Sequence, residues 1–250
     1  RRAGSTANRS IHVLCRPATA DTMIHAMKLL AAADIHGTTG LFSEILDHAG
    51  PVDLILLAGD LTDFGSPLDA EAVIHVAQAN KVPDTFFQVL AVAGNCDSAQ
   101  IDARLAELGV SVFRRGERIG DVGFLGLSAM PPWRTTMYHF SEEELAEALD
   151  AGHRQVADAP RLVVLSHTPP YGTKVDRLLL GRHVGSTALR AFVDRVQPEL
   201  VVCGHVHEAR GVVSLGRTTV VNCGPAAKGY YALIELADGA EPPKVELRRV

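Results

Sequence analysis

Leu29-Leu30-Ala31-Ala32-Ala33-Asp34-Ile35-His36 sets five aliphatic residues directly before an Asp-x-His tripeptide. The same order, an apolar run and then a polar tail, returns four more times. Leu54 to Ala58 precedes Gly59-Asp60, and Val89 to Ala93 precedes Gly94-Asn95-Cys96-Asp97. Leu162 to Leu165 precedes Ser166-His167-Thr168-Pro169, and Leu200 to Cys203 precedes Gly204-His205-Val206-His207. Short aliphatic runs bounded by turn residues read as buried strands of an α/β sheet. Their polar tails then gather at the carboxyl edge of the sheet, where open α/β folds keep their sites.

The gathered side chains are carboxylates, imidazoles and one amide, and such donors suit borderline divalent ions: Zn, Mn, Fe, Co or Ni. Asp34 and His36 lie two apart, so on an extended strand end they point the same way, and His205 and His207 repeat that spacing. Asp60, Asn95 and His167 each come from a separate strand end. These seven residues are too many for one tetrahedral ion but suit two ions sharing a bridging carboxylate. Taken singly the pieces are weak. Asp-x-His is commonly a loop or cap, Gly-Asp is commonly turn chemistry, and His167 before two prolines reads equally as a satisfied core histidine. Gly-His-x-His is stronger, because two imidazoles at period two rarely serve packing. Five tails in one order, each after a strand, point to a metal site.

These residues resemble the calcineurin-like metallophosphoesterases, whose pattern runs D-x-H, G-D, G-N-H-D/E, H, G-H-x-H. The likeness spans Leu29 to about Leu236. The stretches Ser166 to Lys174, Gly181 to Ser186, Gly204 to Gly211 and Asn222 to Pro225 are similar to the single-domain Icc-related subgroup. The resemblance implies a four-layer αββα sandwich with two mixed sheets and a binuclear centre at the sheet edges. Carried over by motif, Asp34, His36 and His207 hold one ion, Asn95, His167 and His205 hold the other, and Asp60 bridges. The resemblance further implies hydrolysis of phosphoesters by a metal-bridging hydroxide, with manganese the first ion to supply in vitro.

Two positions depart from the pattern. The family's histidine beside the amide ligand, which serves the leaving group or the phosphoryl oxygens, is Cys96 here. A thiol is a weak donor and carries no positive charge. Asp97 next to it reads as a turn or supporting carboxylate within the same catalytic motif. Where protein phosphatases resemble Gly-Asp-x-Val-Asp-Arg-Gly, this chain has Gly59-Asp60-Leu61-Thr62-Asp63-Phe64-Gly65, so Phe64 replaces the arginine that holds a phosphate. Small phosphodiesters are therefore the expected substrates. A phosphomonoesterase, a nucleotide pyrophosphatase and a non-catalytic metal-binding scaffold are the alternatives.

The chain has 250 residues, 47% of them hydrophobic, enough for one substantial core. With 24 basic and 29 acidic residues it carries −5 and no long basic run, which argues against an extended nucleic-acid track. No apolar stretch reaches the roughly 20 residues of a membrane span. Cys15, Cys96, Cys203 and Cys223 show no Cys-x-x-Cys spacing, and reduced thiols in the cytoplasm are the simplest expectation. Residues 1–26 carry Arg1, Arg2, Arg9 and Arg16 and no acid before Asp21, and are read as an extension apart from the domain at 27–250.

Helical stripes end at Gly50-Pro51 and begin at Ser66-Pro67, Ser98, Ser141 and Ser186, the one at Ser141 with a capping box to Glu144. Val122 to Leu127 and the glycine-punctuated segments after Gly211 read as further strands, the later ones as hairpins of a second sheet. On the substrate side, Trp133 and Arg134 offer an aromatic and a cation, with Tyr171, Arg182 and His183 following the His167 motif. His183 is a candidate acid or base. Arg210 is a weaker candidate for a phosphate.

Overall fold

The computed structural model describes residues 26–80, 86–237 and 241–250. The extension at 1–26 therefore lies, except for its last residue, outside the described residues. Two parallel β-α-β runs dominate. β1 (Met27–Ala32), α1 (Thr39–Ala49), β2 (Leu54–Ala58), α2 (Pro67–Ala79), β3 (Gln88–Val92) and α3 (Ala99–Glu107) form the first. β4 (Gly116–Ile119) and β5 (Val122–Leu127) lead into the second, which continues with α4 (Glu142–Gln155), β6 (Arg161–Ser166), α5 (Thr187–Val196) and β7 (Leu200–Cys203). Then come β8 (Gly211–Leu215), β9 (Thr218–Asn222), β10 (Tyr230–Leu236) and β11 (Lys244–Arg249).

The strands make two mixed sheets, ordered β11-β10-β1-β2-β3 and β4-β5-β6-β7-β9-β8. β1, β2 and β3 are parallel to one another, as are β5, β6, β7 and β9. Period-two alternation decides which residues face which layer. Leu29, Ala31, Leu54, Leu56 and Val92 meet Phe124, Val163, Leu165, Leu200 and Val202 between the sheets. Leu30, Ile55 and Leu57 face outward onto Phe42, Ile45, Val73 and Ile74 of α1 and α2. Leu125, Val164 and Val201 face outward onto Leu145, Leu149, Leu189 and Phe192 of α4 and α5. Four layers, helix-sheet-sheet-helix, result.

The helix starts stand where the serines place them. Ser66 with Asp69 and Ser141 with Glu144 form reciprocal capping boxes, and Ser98 and Ser186 accept the amides of Ile101 and Leu189. Two features differ from the sequence reading. β8 and β9 join the second sheet as expected, but β10 and β11 return to the first, where β10 pairs antiparallel with β1. β4, whose Glu117 and Arg118 hide its strand character, pairs with β5. No helix among the described residues is long and apolar enough to cross a membrane.

Asp102 ties the layers together just behind the carboxyl edge. It is buried, and accepts hydroxyl hydrogen bonds from Ser128 and Tyr138 at 2.7 Å each, while the Ser128 hydroxyl accepts the Ala93 amide. Burial outweighs these bonds and lifts the carboxyl from its ordinary 3.8 to about 6. A carboxyl with a raised folded pKa stabilises fully below the unfolded value and loses that contribution as pH rises through the folded one. Between about pH 4 and pH 8 the wild type should therefore lose on the order of 2 kcal/mol relative to Asp102→Asn, whose amide never ionises. Urea unfolding of both proteins across that range measures it, and a pH-independent difference contradicts it.

Candidate metal centre

All five polar tails meet at the carboxyl ends of β1, β2, β3, β6 and β7. His207 Nε2 lies 3.3 Å from Asp34 Oδ1, and His36 Nε2 lies 3.9 Å from Asp60 Oδ2. His167 Nε2 lies 3.6 Å from Asp60 Oδ1 and 2.9 Å from Asn95 Oδ1. The His167 and His205 rings stand edge to face with centroids 4.9 Å apart, as do those of His36 and His207 at 5.7 Å. Three sets of donor atoms fall within 4.8 Å of one another: Asp34 with His36 and His207, Asp34 with Asp60 and His167, and His36 with Asp60 and Cys96. All seven residues read from the sequence as ligands are thus brought together.

The chain bends sharply to do this. Asp34, His36, Asp60 and His205 all occupy the left-handed region, with φ of 54°, 48°, 48° and 67°. Each such residue costs roughly 1–3 kcal/mol, which the neighbouring contacts must offset. The tails brace one another. The amides of Asp34, His36 and Gly37 donate to the carbonyls of Gly59, Asp60 and Leu61, and the Cys96 amide donates to Asp60 Oδ1 at 2.7 Å. The His205 amide donates to both oxygens of Asp34. Approach is so close that a Cβ on Gly94 would collide with the Asp60 amide nitrogen, and one on Gly204 would stand 2.6 Å from Asp34 Oδ2.

The atoms around His167 decide whether ions fit. His167 Nδ1 sits 2.9 Å from the Ala58 carbonyl and Nε2 sits 2.9 Å from Asn95 Oδ1, so both ring nitrogens face oxygen acceptors. Asn95 turns its amino group to the sulfurs of Cys96 and Met137, which leaves Oδ1 facing His167. Oxygens of Asn95 and Asp60 therefore converge on His167 Nε2. Among the described residues, buried His36 Nδ1 has no hydrogen-bond partner. A cluster of acceptors in low dielectric calls for cations, and paired divalent ions fit this donor set.

Charge states agree. Burial, and next the nearby His167, push the His205 imidazole down to about 3, keeping it neutral as a ligand must be. His207 is raised, first by its hydrogen bond to Asp34. For Asp34 burial acts upward, but the imidazoles of His207, His167 and His205 outweigh it and the net shift is down. Asp60 is raised, chiefly by burial. Each of these fields belongs to the protein without ions, and bound cations would reset them.

Neighbouring side chains fall into different uses. Burial, then the Asp60 charge, push the Cys96 thiol well above its ordinary range, so it stays neutral. Asp97 spends its oxygens on the amides of Leu61, Thr62 and Gly94 and the Thr62 hydroxyl, locking the second tail to the third. Arg210 does not face the centre. Its guanidinium donates to the carbonyls of Cys223 and Arg248 and lies over Tyr230, which corrects its reading as a phosphate ligand. Trp133 packs against His205 with ring centroids 5.7 Å apart. His183 holds the buried Asp176 carboxylate at 2.7 Å through Nδ1 and packs against Tyr171. Asp176 itself, which the sequence reading passed over, also accepts the amides of Gly172, Thr173 and Gly185. Its only signal was an acid placed between two glycine-rich turns.

A family model for calcineurin-like phosphoesterases matches residues 27–209. An uncharacterised protein of Methanocaldococcus jannaschii is 29% identical over 215 residues, covering 84% of this chain and 92% of its own. A 3',5'-cyclic-nucleotide phosphodiesterase of Nostoc is 28% identical over 161 residues, covering 63% of this chain and 56% of its own. A crystal structure from Thermus thermophilus shares the fold with a TM-score of 0.69 at 19% identity, over 90% of this chain and 99% of that one.

Gly94→Ala probes the cradle without touching a proposed ligand. The added methyl forces the Asp60 backbone away, at about 1–3 kcal/mol of stability. Elemental analysis after metal loading should show at least a tenfold fall in bound ion, and full occupancy would contradict the packing described.

Proposed function

Because the chain belongs to the calcineurin-like phosphoesterase family, we propose that it hydrolyses small phosphodiesters at a binuclear centre built from the seven residues named above. It is a metal-dependent phosphoric ester hydrolase, and what the proposal adds is the ligand assignment and the substrate class. Asp34, His36 and His207 would hold one ion, Asn95, His167 and His205 the other, with Asp60 shared. The convergence of the His167, Asn95 and Asp60 side chains carries this assignment. Paired divalent ions supply charge against phosphoryl oxygens and lower the pKa of water toward neutrality. The donor set accepts Mn, Fe, Zn, Co or Ni, and Mn²⁺ is the ion to test first.

The protein's own groups do the rest. Left-handed backbone at Asp34, His36, Asp60 and His205 fixes the donors before ions arrive, so little ordering is left for the reaction. Neutral Cys96 leaves the phosphoryl oxygens without the family's imidazole. His183 is the group nearest in character. Asp176 fixes its Nδ1, leaving Nε2 to give or take a proton. Phe64, 65% exposed, stands in place of the arginine that would hold a phosphoprotein's phosphate. The name of the Nostoc relative, a cyclic-nucleotide phosphodiesterase, supports diesters over monoesters.

With Mn²⁺ loaded, turnover of bis(4-nitrophenyl) phosphate should exceed that of 4-nitrophenyl phosphate at least tenfold, and Asp60→Ala should abolish both turnover and ion binding. Faster monoester hydrolysis overturns the substrate class, and an active, fully loaded Asp60→Ala overturns the site. His183→Gln should slow a diester with an alkyl leaving group by roughly a hundredfold while slowing the nitrophenyl diester far less. Equal losses on both would remove His183 from the proton transfer.

A further inference from the structure

Beside the ligand cluster stands a group of side chains rich in positive charge and hydrogen-bond donors and lacking any acceptor. The guanidinium of Arg134 lies 5.9 Å from the centre of the Trp133 ring and that of Arg182 lies 6.0 Å from it. The indole in turn packs on His205, which places the group at the edge of the centre. Arg134 sits in the segment after β5 and Arg182 in the loop after β6, so two separate loops bring cations to one ring. Both arginines are exposed. Among the described residues no carboxylate pairs with either guanidinium.

Some surface arginines of this protein are matched, whereas others such as Arg154 and Arg217 have no carboxylate partner among the described residues. Arg104 faces Glu71, Arg118 faces Asp158 and Arg195 faces Asp150. The pair at Trp133 is held by cation–π contact instead, which orients a guanidinium without neutralising it and leaves its N–H edge free. Trp133 Nε1 adds a further donor that is buried and has no partner. Bound ions would supply the counter-charge for one scissile phosphate. Two unmatched guanidiniums next to it are in excess of that need, and the planar fork of arginine suits a phosphate.

We propose that Trp133, Arg134 and Arg182 form a subsite for a second phosphate. The substrate class is then a phosphodiester that also carries a phosphate monoester, of which a 5'-phosphorylated dinucleotide is the simplest example. This rests on the phosphodiesterase reading of the adjoining centre. Occupancy needs no new covalent step: the second phosphate is held while the diester is cleaved.

The dinucleotide ApA and its 5'-phosphorylated form pApA differ by that one group and make a matched pair of probes. The chain has a single tryptophan, so the fluorescence of Trp133 reports binding directly in the metal-loaded protein. Wild type should bind pApA at least tenfold more tightly than ApA and show a matching preference in kcat/KM. In Arg134→Gln/Arg182→Gln both preferences should shrink toward one, with the ion content unchanged. Equal affinity in the wild type, or a preference that survives in the double variant, overturns the proposal. If the affinity pattern holds while neither dinucleotide is cleaved, the subsite stands and the hydrolytic reading of the centre falls.

Discussion

Asp60 places a carboxylate where four chain segments meet, and the geometry of the site follows from how it is held. Its Oδ1 accepts the Cys96 amide and faces His167, its Oδ2 faces His36, and its carbonyl accepts the His36 amide. A buried carboxylate is costly in low dielectric unless positive charge shares the space. The structure meets that cost with rigidity. Gly59 and Gly94 bring backbone against side chain where a single methyl group would collide, and Asp97 stitches the second and third tails with four donors. The candidate ligands are thereby kept together.

Much of this was legible in the sequence because parallel strands buried on both faces must read as unbroken aliphatic runs. Leu54 to Ala58 and Leu200 to Cys203 became strands with those bounds, and the serines before α2 to α5 became caps. The seven candidate ligand positions could be brought forward from sequence because a metal site needs donors at strand ends. Sheet membership could not. Tyr230 to Leu236 has the same apolar pattern whichever sheet it joins, and only the three-dimensional position of β1's open edge draws it there.

Side-chain destinations were similarly hidden. Arg210 stands three residues after His207, yet a tyrosine face and two carbonyls claim it. Asp176 and His183 are seven apart along a loop with no regular period, so their contact depends on a turn that pattern reading does not resolve. Glu142, the first residue of α4, accepts the amides of Thr187 and Ala188 and so joins α4 to the start of α5. Such cross-links are made by tertiary packing, and local sequence carries little trace of them.

The proposed ligands are divided between the sheets. Asp34, His36, Asp60 and Asn95 follow strands of one, whereas His167, His205 and His207 follow strands of the other. The cations would accordingly act as a clasp across a seam whose other fastening is the greasy interlayer of Leu56, Phe124 and Val163. Sliding one sheet against its partner by a fraction of an ångström would pull the two half-sites out of register. Ion affinity in this protein is therefore a gauge of interlayer packing, and a lost methylene far from any donor can be felt at the phosphorus.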